Sequence, residues 1–312
     1  MDPKRVLNSL MPTSMPDPGV FKARVSGTEN MGQFSATFDS ELSTSAVNGS
    51  SNATLTISLR LFLAKINTNS GVHPTSAPGK PVELRDWDDP NGEFTRFRDG
   101  VKEHAERFWD NKFWLLPPPE YRGLDSPAAS PCFHPNIACR FQIVLASGPL
   151  DAHAVIQCFC PKTEGDFRSN AGDRKGQWTC YDLENRQNDG LLDLPCKKDV
   201  GDPLAPGGMV QVDSTCRAWS RQEPVCHEVG HLLGLEHVGV YMKTAACVSG
   251  GNTDARSCYD GPTQNDTENI MGVGMKLAPW NVRPWSSRLV SHIGISLTGW
   301  RVSMSFSPPR PI

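Results

Sequence analysis

Cys226-His227-Glu228-Val229-Gly230-His231-Leu232-Leu233-Gly234-Leu235-Glu236-His237 is the stretch on which the reading of this 312-residue chain turns. It spells H-E-x-x-H, then Gly, then a third His. Residues four apart on an α-helix differ by about 40° around its axis, so His227 and His231 project from one face. Glu228 follows His227, and its carboxylate emerges beside the same site. Gly234 can adopt the left-handed conformation that ends a helix, after which His237 can swing back as a third nitrogen ligand. Three His with one open position make a catalytic rather than a structural zinc site. With five positions fixed at ordinary residue frequencies, a chance match in a chain this long is on the order of one in 10^5. The bland alternative is a helix that merely carries histidines.

Upstream of this stretch, Met209-Val210-Gln211-Val212-Asp213 reads as a short strand. Ser220-Arg221-Gln222-Glu223 fits a capping box, and Pro224 suits the first helical turn. The helix is expected to run to Leu233. Cys226, one residue from His227, should point about 100° away from the metal face and be buried or bridged. Downstream, Ser286 is a candidate cap for a last helix with Leu289, Val290, Ile293 and Ile295 as its apolar side.

Towards the N-terminus, Phe34, Ala36 and Phe38 alternate with polar residues. So do Leu55, Ile57, Leu59, Leu61 and Leu63, and the loop between the two runs holds Asn48-Gly49. This predicts a β-hairpin leading into a long strand with one buried face. Phe94, Phe97, Val101, Ala105, Phe108 and Trp109 recur at three- and four-residue spacing, predicting a helix over about 92–113. Pro117-Pro118-Pro119 stops it. Arg140–Ala146 and Ala152–Cys160 read as two strands joined as a hairpin through Ser147-Gly148-Pro149-Leu150-Asp151. Residues 161–206 are polar and read as loops held by cysteines. Residues 1–30, punctuated by Pro and Gly, read as an extended or mobile arm.

The central stretch resembles the zinc-binding signature of the metzincin metallopeptidases, and Asn269-Ile270-Met271-Gly272-Val273-Gly274 resembles the methionine turn that lies beneath the metal in that family. The resemblance implies an α+β (α/β-like) zincin fold, with a twisted mixed sheet, two large helices and a cleft. An upper part reaches to about residue 236 and a lower part spans 237–312. It covers residues 51–312, leaving 1–50 as an N-terminal extension that holds the arm and the first hairpin strand. It implies one catalytic Zn2+ held by His227, His231 and His237, Glu228 as the catalytic acid–base group, and the Met271 thioether as an apolar floor. Val273, Trp280 and Trp285 would line the pocket for the residue after the scissile bond, ordinary core packing being the alternative for the two Trp. A peptide would bind extended, paired to a sheet edge. Some members carry a Tyr soon after the turn Met. Here no Tyr follows Tyr259, so no tyrosine ligand is expected. Some are held latent by a propeptide Cys, but no Cys precedes Cys132. Asp17 of the arm is a speculative substitute.

The chemistry follows from the residue types. Zinc on three neutral imidazoles lowers the pKa of a water toward about 7. Glu228 is then placed to take the proton and return it to the leaving amine. The net charge of −3 gives no case for nucleic acid or an anionic membrane as partner. No apolar run approaches the roughly 20 residues of a membrane helix. Ten Cys, all between residues 132 and 258, suggest disulfides and an oxidising destination, with buried free thiols in a cytosolic protein as the alternative. Cys247–Cys258 is the first pairing to expect. Met1–Val20 has no apolar segment of the secretory type, so delivery by a secretion or injection machine would reconcile the two observations. Asn48-Gly49-Ser50, Asn52-Ala53-Thr54 and Asn265-Asp266-Thr267 fit the glycosylation pattern weakly. His104 and His292 are expected to be ordinary core or surface residues. The expectation is a zinc-dependent endopeptidase acting on protein or peptide substrates, secreted or delivered. A toxin peptidase against periplasmic or extracellular proteins is one alternative. A catalytically inactive, zinc-stabilised binding module is the alternative of another class.

Overall fold

The alternating apolar run beginning at Ala53 becomes the central strand of the sheet, and the other elements are placed by it. The computed structural model describes residues 21–32, 34–43, 52–72, 74–76, 80–121, 123–124, 135–164, 167–201 and 209–304. Met1–Val20, Asn48-Gly49-Ser50, His73, His134 and Cys132 lie outside the described residues.

Strands β1 (Arg24–Met31) and β2 (Phe34–Ser43) form an antiparallel hairpin, and β2 pairs antiparallel with β3 (Ala53–Lys65). Leu55, Ile57, Leu59 and Leu61 of β3 are buried, so the alternation is realised as one covered face. Helix α1 (Glu93–Trp109) turns Phe97, Val101, Ala105 and Trp109 inward. Burial stabilises each of its large apolar side chains by roughly 1.5–3 kcal/mol. The chain then forms β4 (Phe113–Leu116), β5 (Ile137–Leu145) and β6 (Ala154–Pro161). Next come β7 (Asn170–Gly172), β8 (Lys175–Thr179), β9 (Arg186–Gly201) and β10 (Met209–Gln222). The α2 helix (Pro224–Leu232) carries the first two His, α3 (Arg283–Ile293) follows, and β11 (Arg301–Ser303) closes the described chain.

The main sheet has the order β7-β8-β6-β3-β5-β4-β11, with β2 on the same edge of β3 as β6. β5 and β6 run parallel to β3 and β8 runs parallel to β6, whereas β2, β4, β7 and β11 pair antiparallel. The architecture is therefore α+β on a mixed sheet. Among the described residues no helix is long and apolar enough to cross a membrane.

Four local expectations are corrected. β5 and β6 are not a hairpin: Leu61 pairs with Leu145 on one side and Ala154 on the other, so the two strands flank β3. Both are apolar because both are central, which periodicity alone does not distinguish from pairing with each other. Residues 161–206 are not mere loops, because β9 and β10 form a long two-stranded antiparallel ribbon. The capping box is absent: Ser220–Gln222 belong to β10, and the N-cap Glu223 makes no side-chain cap bond. Ser286 lies inside α3, whose start is set by Pro284.

The hairpin, joined to the sheet through β2, is also tied to α3. The Arg288 guanidinium donates to the carbonyls of Gly27 (2.5 Å) and Phe38 (2.7 Å) and pairs with Glu29 at 3.0 Å. These charged bonds join α3 to strands more than 240 residues earlier in the chain.

Candidate metal centre

The α2 helix begins abruptly because Pro224 needs no amide partner at its first position. Every residue from Val225 to Leu232 is buried. Two large groups anchor its back. The Trp109 indole N–H donates to the Cys226 carbonyl at 3.0 Å, and the Cys226 thiol turns toward the His104 carbonyl (3.6 Å), away from the metal face. His104 pairs with Glu223 at 3.0 Å, and His292 donates or accepts at Ser40 Oγ (2.9 Å), so neither enters the site.

Gly234 has φ +85°, and the Leu235 amide bonds back to the Gly230 carbonyl at 2.9 Å. The helix therefore ends in the left-handed turn that only Gly adopts without strain. The chain reverses, and the Val238 amide is tied to the Met271 carbonyl at 3.0 Å. His237 is thereby brought opposite the helix face.

The three imidazoles converge. His231 Nε2 is 3.1 Å from His227 Nε2 and 3.1 Å from His237 Nε2. Each Nδ1 meets a backbone carbonyl: Ile270 at 2.6 Å, Leu235 at 2.8 Å and Thr253 at 2.9 Å. A carbonyl only accepts, so each Nδ1 carries the proton and each Nε2 presents a lone pair. Three lone pairs pointing at one another with no hydrogen between them repel unless a cation sits among them. Burial and the neighbouring rings hold His227 well below the ordinary imidazole value. Burial and then His237 lower His231 to about 3, and burial lowers His237 to about 4. All three are neutral ligands at pH 7, and this group can hold a metal ion.

Glu228 is buried, and its Oε2 has no hydrogen-bond partner in the structure. Its carboxyl is pushed up to about 8, first by burial and then by the charge of Asp182, against the opposing effects of Arg168 and the Ala171 amide. Beneath the helix, Met271 is fully buried, and a Cβ added at Gly230 would meet its Sδ at 2.4 Å. Gly230 is thus the gap that lets the methionine turn approach. Gln222 at the end of β10 holds that turn by donating to the Ile270 (2.7 Å) and Gly274 (2.9 Å) carbonyls.

A cleft of about 1130 Å³ opens above His231 and His237. Glu228, His231, His237, Phe34, Arg168 and the β7 residues Asn170–Gly172 are among its walls. Phe34 stands 5.0 Å from the His231 ring, so the β1–β2 hairpin forms part of the site. Two groups were missed in the sequence. The Tyr259 ring lies 3.9 Å from that of His237 and 5.9 Å from that of His227, and the Arg168 guanidinium stands 4.7 Å over the Tyr259 ring. The expectation of no tyrosine looked only after Met271, whereas this one comes before it. Its sole local signal was its place beside Cys258, which bridges to Cys247 as expected from spacing.

The three residues expected to line a specificity pocket are scattered. Trp285 is fully buried, packs 5.7 Å from Phe113 and donates to the Arg140 carbonyl at 2.8 Å. Trp280 stacks on Tyr241 at 4.4 Å, and Val273 packs with Tyr259 below the surface. None of the three lines the described cleft. A Trp on the buried face of α3 serves the core, which Trp content alone does not reveal.

Comparison with known proteins places no relative beside the chain: no family model, no curated protein and no solved structure matches it.

Proposed function

We propose that the chain is a zinc-dependent endopeptidase of the metzincin type. The observation that carries this reading is the convergence of three proton-free Nε2 atoms beside a buried carboxylate with an unpaired oxygen, at the floor of a cleft. All-nitrogen ligation with intermediate softness suits zinc. Bound there, zinc supplies Lewis-acid activation of a water and of the scissile carbonyl.

The chain's own residues do the rest. The Ile270, Leu235 and Thr253 carbonyls lock the imidazoles in one tautomer. Glu228 Oε2 takes the proton from the attacking water and returns it to the leaving amine. Burial raises its basicity. The Tyr259 hydroxyl, kept protonated by burial, donates to the developing oxyanion, and Arg168 holds the ring in place. An extended peptide pairs with the free edge of β7, which borders the cleft. The Cys247–Cys258 bridge favours an oxidising destination, reached by secretion or delivery.

Metal analysis combined with peptide-library cleavage by wild type and Glu228→Ala tests this. One equivalent of zinc in both proteins, with cleavage by wild type alone, is the expected result. Wild type cutting no more than Glu228→Ala makes the chain a zinc-stabilised binding module instead. A chelated protein that takes up no zinc on reloading removes the site itself.

A further inference from the structure

The Cys247–Cys258 bridge fastens the lower wall of the cleft, and the upper wall has a matching pair of thiols. Cys160 is the penultimate residue of β6, and Cys180 follows β8. The two strands run parallel in the register Thr179↔Phe159, and the Cys180 amide donates to the Phe159 carbonyl at 3.0 Å. The next pair in that register is Cys180 opposite Cys160. Directly opposed residues on neighbouring strands stand about 4.8 Å apart and point to the same face, which is within the span of a disulfide. The two sulfurs lie within 4.8 Å of each other, Cys160 buried and Cys180 half-buried, and neither is bridged.

A metal is the rival occupant, because Glu93 lies with both sulfurs inside 4.8 Å. The charge pattern excludes it. Arg85 occupies both Glu93 oxygens at 2.9 and 2.7 Å and approaches the Cys180 sulfur at 3.7 Å. The Asp88 amide takes the same carboxylate at 2.7 Å. A cation would have to displace a guanidinium already bonded to its ligands. Cys180, half-buried, is the more accessible of the two thiols, and a thiolate is the form that attacks a disulfide.

We propose that Cys160 and Cys180 form a disulfide that clamps the upper lip of the cleft. The Cys180 thiolate attacks a small-molecule or protein disulfide, whose S–S bond breaks and releases one thiol, leaving a mixed disulfide. Cys160 then loses its proton and attacks the Cys180 sulfur, expelling the second thiol. Two cysteine thiols are oxidised and one external disulfide is reduced to two thiols. The closed segment carries Phe167, Arg168 and β7, all of which line the cleft. The clamp therefore holds Arg168 over Tyr259 and keeps the β7 edge available for a peptide. This consequence rests on the peptidase reading, whereas the bond itself does not.

The test begins with wild-type protein purified without reductant. It is alkylated with N-ethylmaleimide in denaturant, digested and mapped unreduced. The expected result is a Cys160–Cys180 cross-linked peptide alongside Cys247–Cys258. Alkylation of both Cys160 and Cys180 while Cys247–Cys258 stays linked overturns the proposal, as does either one linked to another cysteine. A metal equivalent retained by His231→Ala and lost from Cys180→Ser overturns it in favour of a metal site. Hydrogen exchange reads the clamp: amides of 161–179 exchange about tenfold or more faster in Cys180→Ser than in wild type. Equal exchange sinks the clamp. The cross-link map and the hydrogen exchange use neither metal nor substrate, so their failure is distinct from failure of the peptidase reading.

Discussion

Replacing Gly234 by Ala separates a backbone cost from a packing cost, and Gly294 provides the control. Both glycines end helices with positive φ, +85° and +71°. Ala in the left-handed region costs about 1 kcal/mol at each. The unfolded chain changes identically in both variants, so that contribution cancels in the comparison. The surroundings differ. A Cβ at Gly294 meets nothing within 4 Å, whereas one at Gly234 meets Met31 Cε at 2.7 Å, Ala36 Cβ at 3.1 Å and Met31 Cβ at 3.2 Å. The Met31 terminal methyl can rotate away. The two Cβ atoms cannot, so the β1–β2 hairpin must shift, at about 1–3 kcal/mol. Gly294→Ala should lose about 1 kcal/mol and Gly234→Ala about 2–4 kcal/mol. In a chain of this size that is roughly 2 °C against 4–8 °C in Tm by calorimetry of the metal-free proteins. The shift also moves Leu235, whose carbonyl orients His231, so metal affinity of Gly234→Ala should fall about 10–100-fold while Gly294→Ala is unchanged. Equal Tm losses in the two variants would refute the argument that the hairpin is packed against the Gly234 turn.

Four further outcomes follow from the geometry. Glu228→Gln should keep metal stoichiometry and lose about 10²–10⁴-fold in cleavage rate, measured as kcat on a library-derived peptide. Tyr259→Phe should lower kcat about 10–100-fold with KM and metal content unchanged, because only the hydroxyl is removed; a pure KM effect refutes the oxyanion role. The double variant Cys247→Ala/Cys258→Ala should weaken metal binding about 10–100-fold by competition with a chelating dye, since the bridged loop supplies the Thr253 carbonyl and Tyr259 around His237. His153 gives a pH test away from the metal. Its Nδ1 accepts the Arg60 amide at 3.0 Å, and burial and then Arg60 lower it to about 4. Between pH 6.5 and 4 the unfolded chain binds the extra proton, so this contribution is complete above pH 6.5 and is lost as pH falls toward 4. By urea unfolding at pH 7 and 4.5, wild type should lose about 2–3 kcal/mol more than His153→Gln. Equal losses would remove His153 from the account.

Some of the site was legible because its causes are local. Helical spacing aligned His227 with His231, a positive-φ Gly ended the helix, and Cys247 and Cys258 were near enough in sequence to pair. Arg168 and Tyr259 were not legible, because nothing around either residue marks it: β7 and β8 carry one to the cleft and the disulfide loop carries the other. Trp280 and Trp285 misled for the converse reason. They stand close to the methionine turn in sequence, but the helix face that bears Trp285 turns it into the core.

The central stretch by itself determined the three imidazoles that can hold a metal ion, the carboxylate beside them and the turn that gathers them, since helical periodicity and Gly stereochemistry act over a few residues. Only the tertiary structure decided that β5 and β6 flank β3, and that the β1–β2 hairpin packs on Gly234 and His231. It alone decided that carbonyls from Ile270, Leu235 and Thr253 orient the imidazoles. Strand neighbours and hydrogen-bond partners are chosen by which distant surfaces can be buried together, and that competition involves the whole chain at once.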